Sequence, residues 1–175
     1  MLIAGKLIAG GTGLAPALVR RAAVLELDWD TRQKSRFDAV DSAGRAVGVF
    51  LPRGRVVRGG DVLVAEDGSL IAVQAKTQPV LVVRAAPQGA PLDLLRAAYH
   101  LGNRHVPLEV RGDSLRLEPD HVLAALMERM GLRVESATTA FEPEAGAYDG
   151  SAGGHASGAH GHGHGHDHGH DHDHP

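Results

Sequence analysis

Between Pro79 and Ala137 the hydrophobic pattern passes from the period of a strand to that of a helix and back, in an order that few folds satisfy. Pro79-Val80-Leu81-Val82-Val83-Arg84 is nearly continuous in apolar residues, as in a strand at a sheet centre with both faces covered. Pro91 opens a helix running to Leu101. At about 100° per residue, Leu94, Ala98 and Leu101 share one face. Gly102 is placed to end it. Leu108-Glu109-Val110 and Leu115-Arg116-Leu117 flank a turn at Gly112-Asp113 and read as a hairpin. Asp120 is placed to cap a second helix, Val122 to Met130, whose apolar face is Val122, Leu123, Leu126 and Met130 and which stops at Gly131. Arg133 to Ala137 is the last strand. The order β-α-β-β-α-β is that of the ferredoxin-like split βαβ unit.

Ahead of this unit, residues from about Ala23 to Ala75 look all-β. Val24-Leu25-Glu26-Leu27-Asp28-Trp29 alternates with period two, as does Phe37-Asp38-Ala39-Val40. Ala46 to Leu51, Asp61 to Ala65 and Leu70 to Val73 follow, and the Asp67-Gly68 dipeptide marks a hairpin turn. Short strands at this spacing suggest a small barrel or sandwich. Beyond Phe141 periodicity is lost, and from His155 the chain is a low-complexity His-Gly-Asp sequence that buries nothing and is expected to be disordered without ligand. The expected class is therefore α+β: an N-terminal all-β domain over residues 1–75, a ferredoxin-like domain over 76–145, and a disordered His-rich tail over 146–175.

Several chemistries are excluded or disfavoured. With no cysteine, the chain has no disulfide framework, no thiolate metal ligand and no cysteine nucleophile. No G-x-x-x-x-G-K-[ST], G-x-S-x-G or H-E-x-x-H motif occurs, so the chain is not expected to be an enzyme. Gly11-Thr12-Gly13 is too short for a dinucleotide fingerprint and reads as a loop. The N-terminus lacks the basic-then-apolar order of a signal peptide, and no run approaches the roughly 20 apolar residues of a membrane span. A soluble cytoplasmic protein with no membrane contact is expected. Arg32, Lys34, Arg36, Arg45, Arg53, Arg55 and Arg58 face only Asp38 and Asp41 in one stretch. Without interleaved aromatics this basic run does not suggest nucleic acid; it suits an acidic protein partner.

The histidines carry the chemistry. His160, His162, His164, His166, His168, His170, His172 and His174 alternate with Gly and Asp. Expression tags are usually unbroken His runs, so this alternation reads as a native metal tail. Imidazole suits Ni²⁺, Zn²⁺ and Cu²⁺, and a flexible His-x-His repeat lets several rings reach one ion. Such a tail is promiscuous, because ordering floppy chelate rings costs entropy. His100, His105 and His121 lie instead in folded sequence. His105 follows a helix end, where fixed backbone aims it. His100 and His121 fall on polar helix faces, near Asp93 and Arg96 and near Glu128, as candidate secondary ligands. One imidazole cannot hold a divalent ion tightly, but a two-fold homodimer supplies two copies of it.

Lys34-Ser35-Arg36-Phe37, Val49-Phe50-Leu51-Pro52-Arg53-Gly54, Arg58-Gly59-Gly60-Asp61 and Tyr99-His100-Leu101-Gly102-Asn103-Arg104-His105 together resemble the UreE family of urease accessory proteins, nickel metallochaperones. The Asp120-His121-Val122-Leu123 helix start and the His-rich end agree. The resemblance implies an N-terminal β domain for partner contact and a ferredoxin-like domain that dimerises, with nickel bound at the dimer interface by His105. It also implies delivery to apo-urease through the accessory GTPase UreG and the other maturation proteins. Some members carry His-Asp-His where this chain has Pro119-Asp120-His121, so no paired site carries over to His121. The reading from another class is a storage protein that buffers nickel, zinc or copper through the tail.

Overall fold

A computed structural model describes residues 1–145. Its first strand, β1 (Leu2–Ile8), lies inside a six-stranded sheet, between strands that come much later in the chain. A 3-10 turn (Ala9–Gly11) and the helix α1 (Pro16–Arg21) lead to β2 (Ala23–Leu27), then α2 (Trp29–Arg32), β3 (Arg36–Val40), β4 (Ala46–Phe50), β5 (Val62–Ala65) and β6 (Leu70–Ala75). The strand order is β2-β6-β5-β1-β4-β3. β1 runs parallel to β4 and antiparallel to β5. The inner face buries Leu25, Val47, Val49, Leu63 and Ile71 in one apolar cluster. The turn after β3 reaches back to β2, where the Ser42 N–H donates to the Val24 carbonyl at 2.8 Å, so the sheet curls toward its own far edge.

Three sequence expectations need correction here. The strand-rich region starts at Leu2, not near Ala23. The register of β1 on β5 shifts between Ala4 and Lys6, and this bulge breaks the period-two pattern that marks a strand. The N-terminal region is not purely β, because it carries the short helices α1 and α2. Trp29 belongs to α2 rather than to the preceding strand: the Asp28 carboxylate accepts the Thr31 N–H at 2.9 Å and starts a helix there.

The second sheet follows the expected order. β7 (Thr77–Arg84), α3 (Pro91–Gly102), β8 (Glu109–Val110), β9 (Leu115–Leu117), α4 (His121–Arg129) and β10 (Arg133–Ala140) form a sheet of order β10-β7-β9-β8 with every pair antiparallel. β7 is apolar from Pro79 to Val83 because Val80 to Val83 are covered on both faces. Leu81 and Val83 pack under α3 and α4 with Ala97, Leu101 and Met127. Val80 and Val82 pack on the opposite face against Trp29 and Phe141. The chain is therefore α+β, as its sequence pattern indicates.

Residues 141–144 strap the two sheets together. Phe141 is fully buried and meets Trp29 edge to face, with ring centroids 6.2 Å apart. Arg32, 0% exposed, donates to the Leu27 carbonyl (3.1 Å), to Glu142 Oε1 (2.5 Å) and to the Phe141 carbonyl (2.5 Å). Its guanidinium also lies 5.2 Å from the centroid of the Trp29 ring, a cation–π distance. The Glu142 N–H donates to the buried Glu109 carboxylate at 2.9 Å, and the Glu144 N–H to the Leu108 carbonyl at 2.8 Å. Among the described residues no helix is long and apolar enough to cross a membrane.

Candidate metal centre

The helix that leads to the candidate centre is held at both ends. At its start Asp93 accepts the Ala90 N–H at 2.8 Å. Its inner face packs Leu94, Ala97, Ala98 and Leu101 against the sheet. Its outer face carries a second apolar stripe that the sequence reading did not pick out: Leu92, Leu95 and Tyr99, 49%, 66% and 65% exposed. Their spacing, i, i+3 and i+7, puts them on one side. The spacing was readable in the sequence, but nothing there said which of two apolar faces the core would take.

Gly102 is helical and does not supply the left-handed position that closes the helix. It is the last residue of the helix, and the left-handed residue of the closing turn lies three positions later. The Val106 N–H donates to the Leu101 carbonyl at 3.3 Å, and the His105 N–H donates to the Gly102 carbonyl at 2.9 Å. These are the two bonds of a Schellman motif, whose left-handed position is usually glycine. Here it is His105, at φ 55°, the one non-glycine residue with positive φ among the described residues. Val106 packs into the core beside Leu101 and pins the turn from the other side. Arg104 donates to the His100 carbonyl at 2.9 Å, closing the last turn. The His105 side chain is left exposed on a backbone that has little freedom to move.

The other two folded histidines are placed apart from this strained position. His100 is exposed on the last turn of α3, its ring edge-on to Tyr99 with centroids 5.5 Å apart. The nearby Asp93 and Arg96 pair with each other at 3.7 Å. His121 is the exposed first residue of α4, next to Asp120, whose carboxylate accepts the Val122 and Leu123 N–H groups at 2.8 and 2.9 Å. Among the described residues no group of three or more His, Asp or Glu side chains stands where it could hold a metal. His100, His105 and His121 are thus not gathered into one such set. The tail histidines, His160 to His174, lie outside the described residues.

The basic run is also not one uniform face. Arg32 is buried, Arg45 is paired with Asp41 at 2.8 Å, and Arg58 donates to the Pro143 carbonyl at 2.5 Å. Lys34 is paired with Asp30 at 2.7 Å. Arg36, Arg53 and Arg55 have no ion pair among the described residues, so the basic surface is narrower than the sequence suggests.

Two family profiles match the chain. Residues 6–76 match the UreE urease accessory protein, N-terminal domain, and residues 78–174 match the UreE urease accessory protein, C-terminal domain. The chain is 67% identical over 156 residues to the urease accessory protein UreE of Methylibium petroleiphilum, covering 89% of this chain and 71% of that protein. It is 62% identical over 157 residues to the protein of the same name from Albidiferax ferrireducens, covering 89% of each. It is 59% identical over 157 residues to that of Verminephrobacter eiseniae, covering 89% of this chain and 94% of the relative.

Proposed function

Because this chain belongs to the UreE family of urease accessory proteins, we propose that it is a nickel carrier, which binds Ni²⁺ as cargo and passes it to the urease apoprotein. His105 is the specific ligand, contributed twice at the two-fold axis of a homodimer. The observation that carries this reading is its left-handed backbone. A non-glycine residue there costs roughly 1–2 kcal/mol, and such strain persists where function requires the side chain. Imidazole suits nickel, and zinc or copper would also bind in vitro.

The outer stripe of α3 supports the dimer. Leu92, Leu95 and Tyr99 lie on the helix that leads into the turn holding His105, so an isologous contact across them brings two copies of His105 toward one axis. The His-x-His repeat supports a role for the tail. The tail histidines hold further ions, with His100 and His121 as secondary ligands.

Residues 1–75 contact the partner, residues 76–145 bind metal and dimerise, and residues 146–175 collect metal. The protein acts in the cytoplasm as a carrier rather than a catalyst, handing nickel to the accessory GTPase UreG and the urease maturation complex. Delivery of nickel to apo-urease tests this. A chain lacking residues 151–175 retains transfer, whereas full-length His105→Ala loses it. The reverse outcome would favour a tail-based nickel buffer, a reading supported by the His-x-His repeat alone.

A further inference from the structure

Two consecutive strands, β3 and β4, bring an arginine and a phenylalanine together on the outer face of the N-terminal sheet. Arg36 on β3 stands opposite Phe50 on β4, and the Leu51 N–H donates to the Ser35 carbonyl at 2.7 Å just beyond them. Both side chains point away from the core, and Phe50 is 46% exposed. The Phe50 ring lies over Gly48: a Cβ there would come within 3.1 Å of the ring and 3.3 Å of Ile3. The aromatic is thus seated on a strand with no side chain beneath it. Arg53 follows in the turn after β4, where the Arg55 N–H donates to the Pro52 carbonyl at 3.2 Å. Arg36, Arg53 and Arg55 are the cations of the basic run that the fold leaves without an ion pair among the described residues.

We propose that this face, with Phe50 as its apolar anchor and Arg36 and Arg53 beside it, is the surface on which an acidic protein partner docks during nickel transfer. The proposal rests on the carrier reading above and adds where the contact is made and with what chemistry. Charge complementarity sets the occupant. The arginines favour carboxylates, and an aromatic flanked by arginines is the residue type on which interface energy concentrates. Asp38 lies beside the same glycine, so the partner's carboxylates meet the arginines rather than that end of the face.

The test uses the full nickel-loaded chain and the purified urease apoprotein with its maturation proteins. Arg36→Glu and Phe50→Ala are each expected to weaken the complex about tenfold or more. Nickel stoichiometry and molecular mass should stay those of the unaltered chain. Affinity of the unaltered chain should fall as salt rises, and less steeply for Arg36→Glu. If the unaltered chain binds but both variants bind equally well, the surface is wrongly assigned and the carrier reading stands. If either variant changes the mass, the face is a contact between copies of this chain and the proposal is overturned. If the unaltered chain does not bind at all, the carrier reading falls and takes the docking surface with it.

Discussion

The Val106 N–H reaches the Leu101 carbonyl at 3.3 Å, and the turn closed by that bond holds His105 at φ 55°. Glycine is the residue this backbone favours. His105→Gly is therefore expected to raise stability, by about 0.5–1 kcal/mol in denaturant unfolding, while tight nickel binding is lost. His105→Val, β-branched at the same φ, is expected to lower stability. A His105→Gly variant that lost stability would mean the side chain, not the backbone, supports the turn.

The exposed stripe on α3 makes a second expectation. Leu95, 66% exposed, does not belong to the buried core, so Leu95→Glu should leave the monomer folded. A charge at the centre of an isologous contact appears twice and repels itself. Sedimentation should show a monomer with weakened nickel binding. A dimer of unchanged mass would place the interface elsewhere.

The strap is expected to matter more than its irregular sequence suggests. Arg32→Met removes three hydrogen bonds and leaves Glu142 without its buried partner. The cost should be about 2–4 kcal/mol, below that of a fully buried pair because the Glu142 side chain is 31% exposed. A chain ending at residue 140 also loses Phe141, worth about 3–5 kcal/mol if truncated to alanine, and should unfold at lower denaturant than one ending at residue 145. Equal midpoints for the two truncations would contradict the strap's role.

Acid should weaken the N-terminal sheet through two carboxylates. Hydrogen bonding from Thr31 holds Asp28 below the usual carboxylate range. Burial alone would raise Asp41, but donors from Arg45 and Ala43 outweigh it and hold it low as well. A group with a depressed folded pKa stabilises fully above its unfolded value and loses that contribution as pH falls through the folded one. The loss should therefore begin below about pH 4. Asp41→Asn should flatten that acid limb; an unchanged limb would mean Asp41 does not contribute to it.

Much of this molecule was legible in its residues. The ferredoxin-like unit was, because its strands and helices keep clean periods and its caps, Asp120 and Gly131, stand where the helix ends. β1 was not, because a bulge at Gly5 breaks the alternation. Nor was the strap, since an extended segment that buries one ring and one carboxylate leaves no period to read. At the candidate centre the sequence singled out His105 but placed the turn on Gly102. A left-handed histidine is uncommon enough that the nearest glycine is the default. The α3 stripe was visible as spacing, yet its role depends on which face the sheet covers.

The most direct measurement is nickel titration of residues 1–150, with molecular mass determined in the same buffer and His105→Ala alongside. The account predicts a dimer that keeps about one tight ion per two chains and loses it on His105→Ala. Tight binding that survives His105→Ala, or that vanishes with the tail alone, would contradict it.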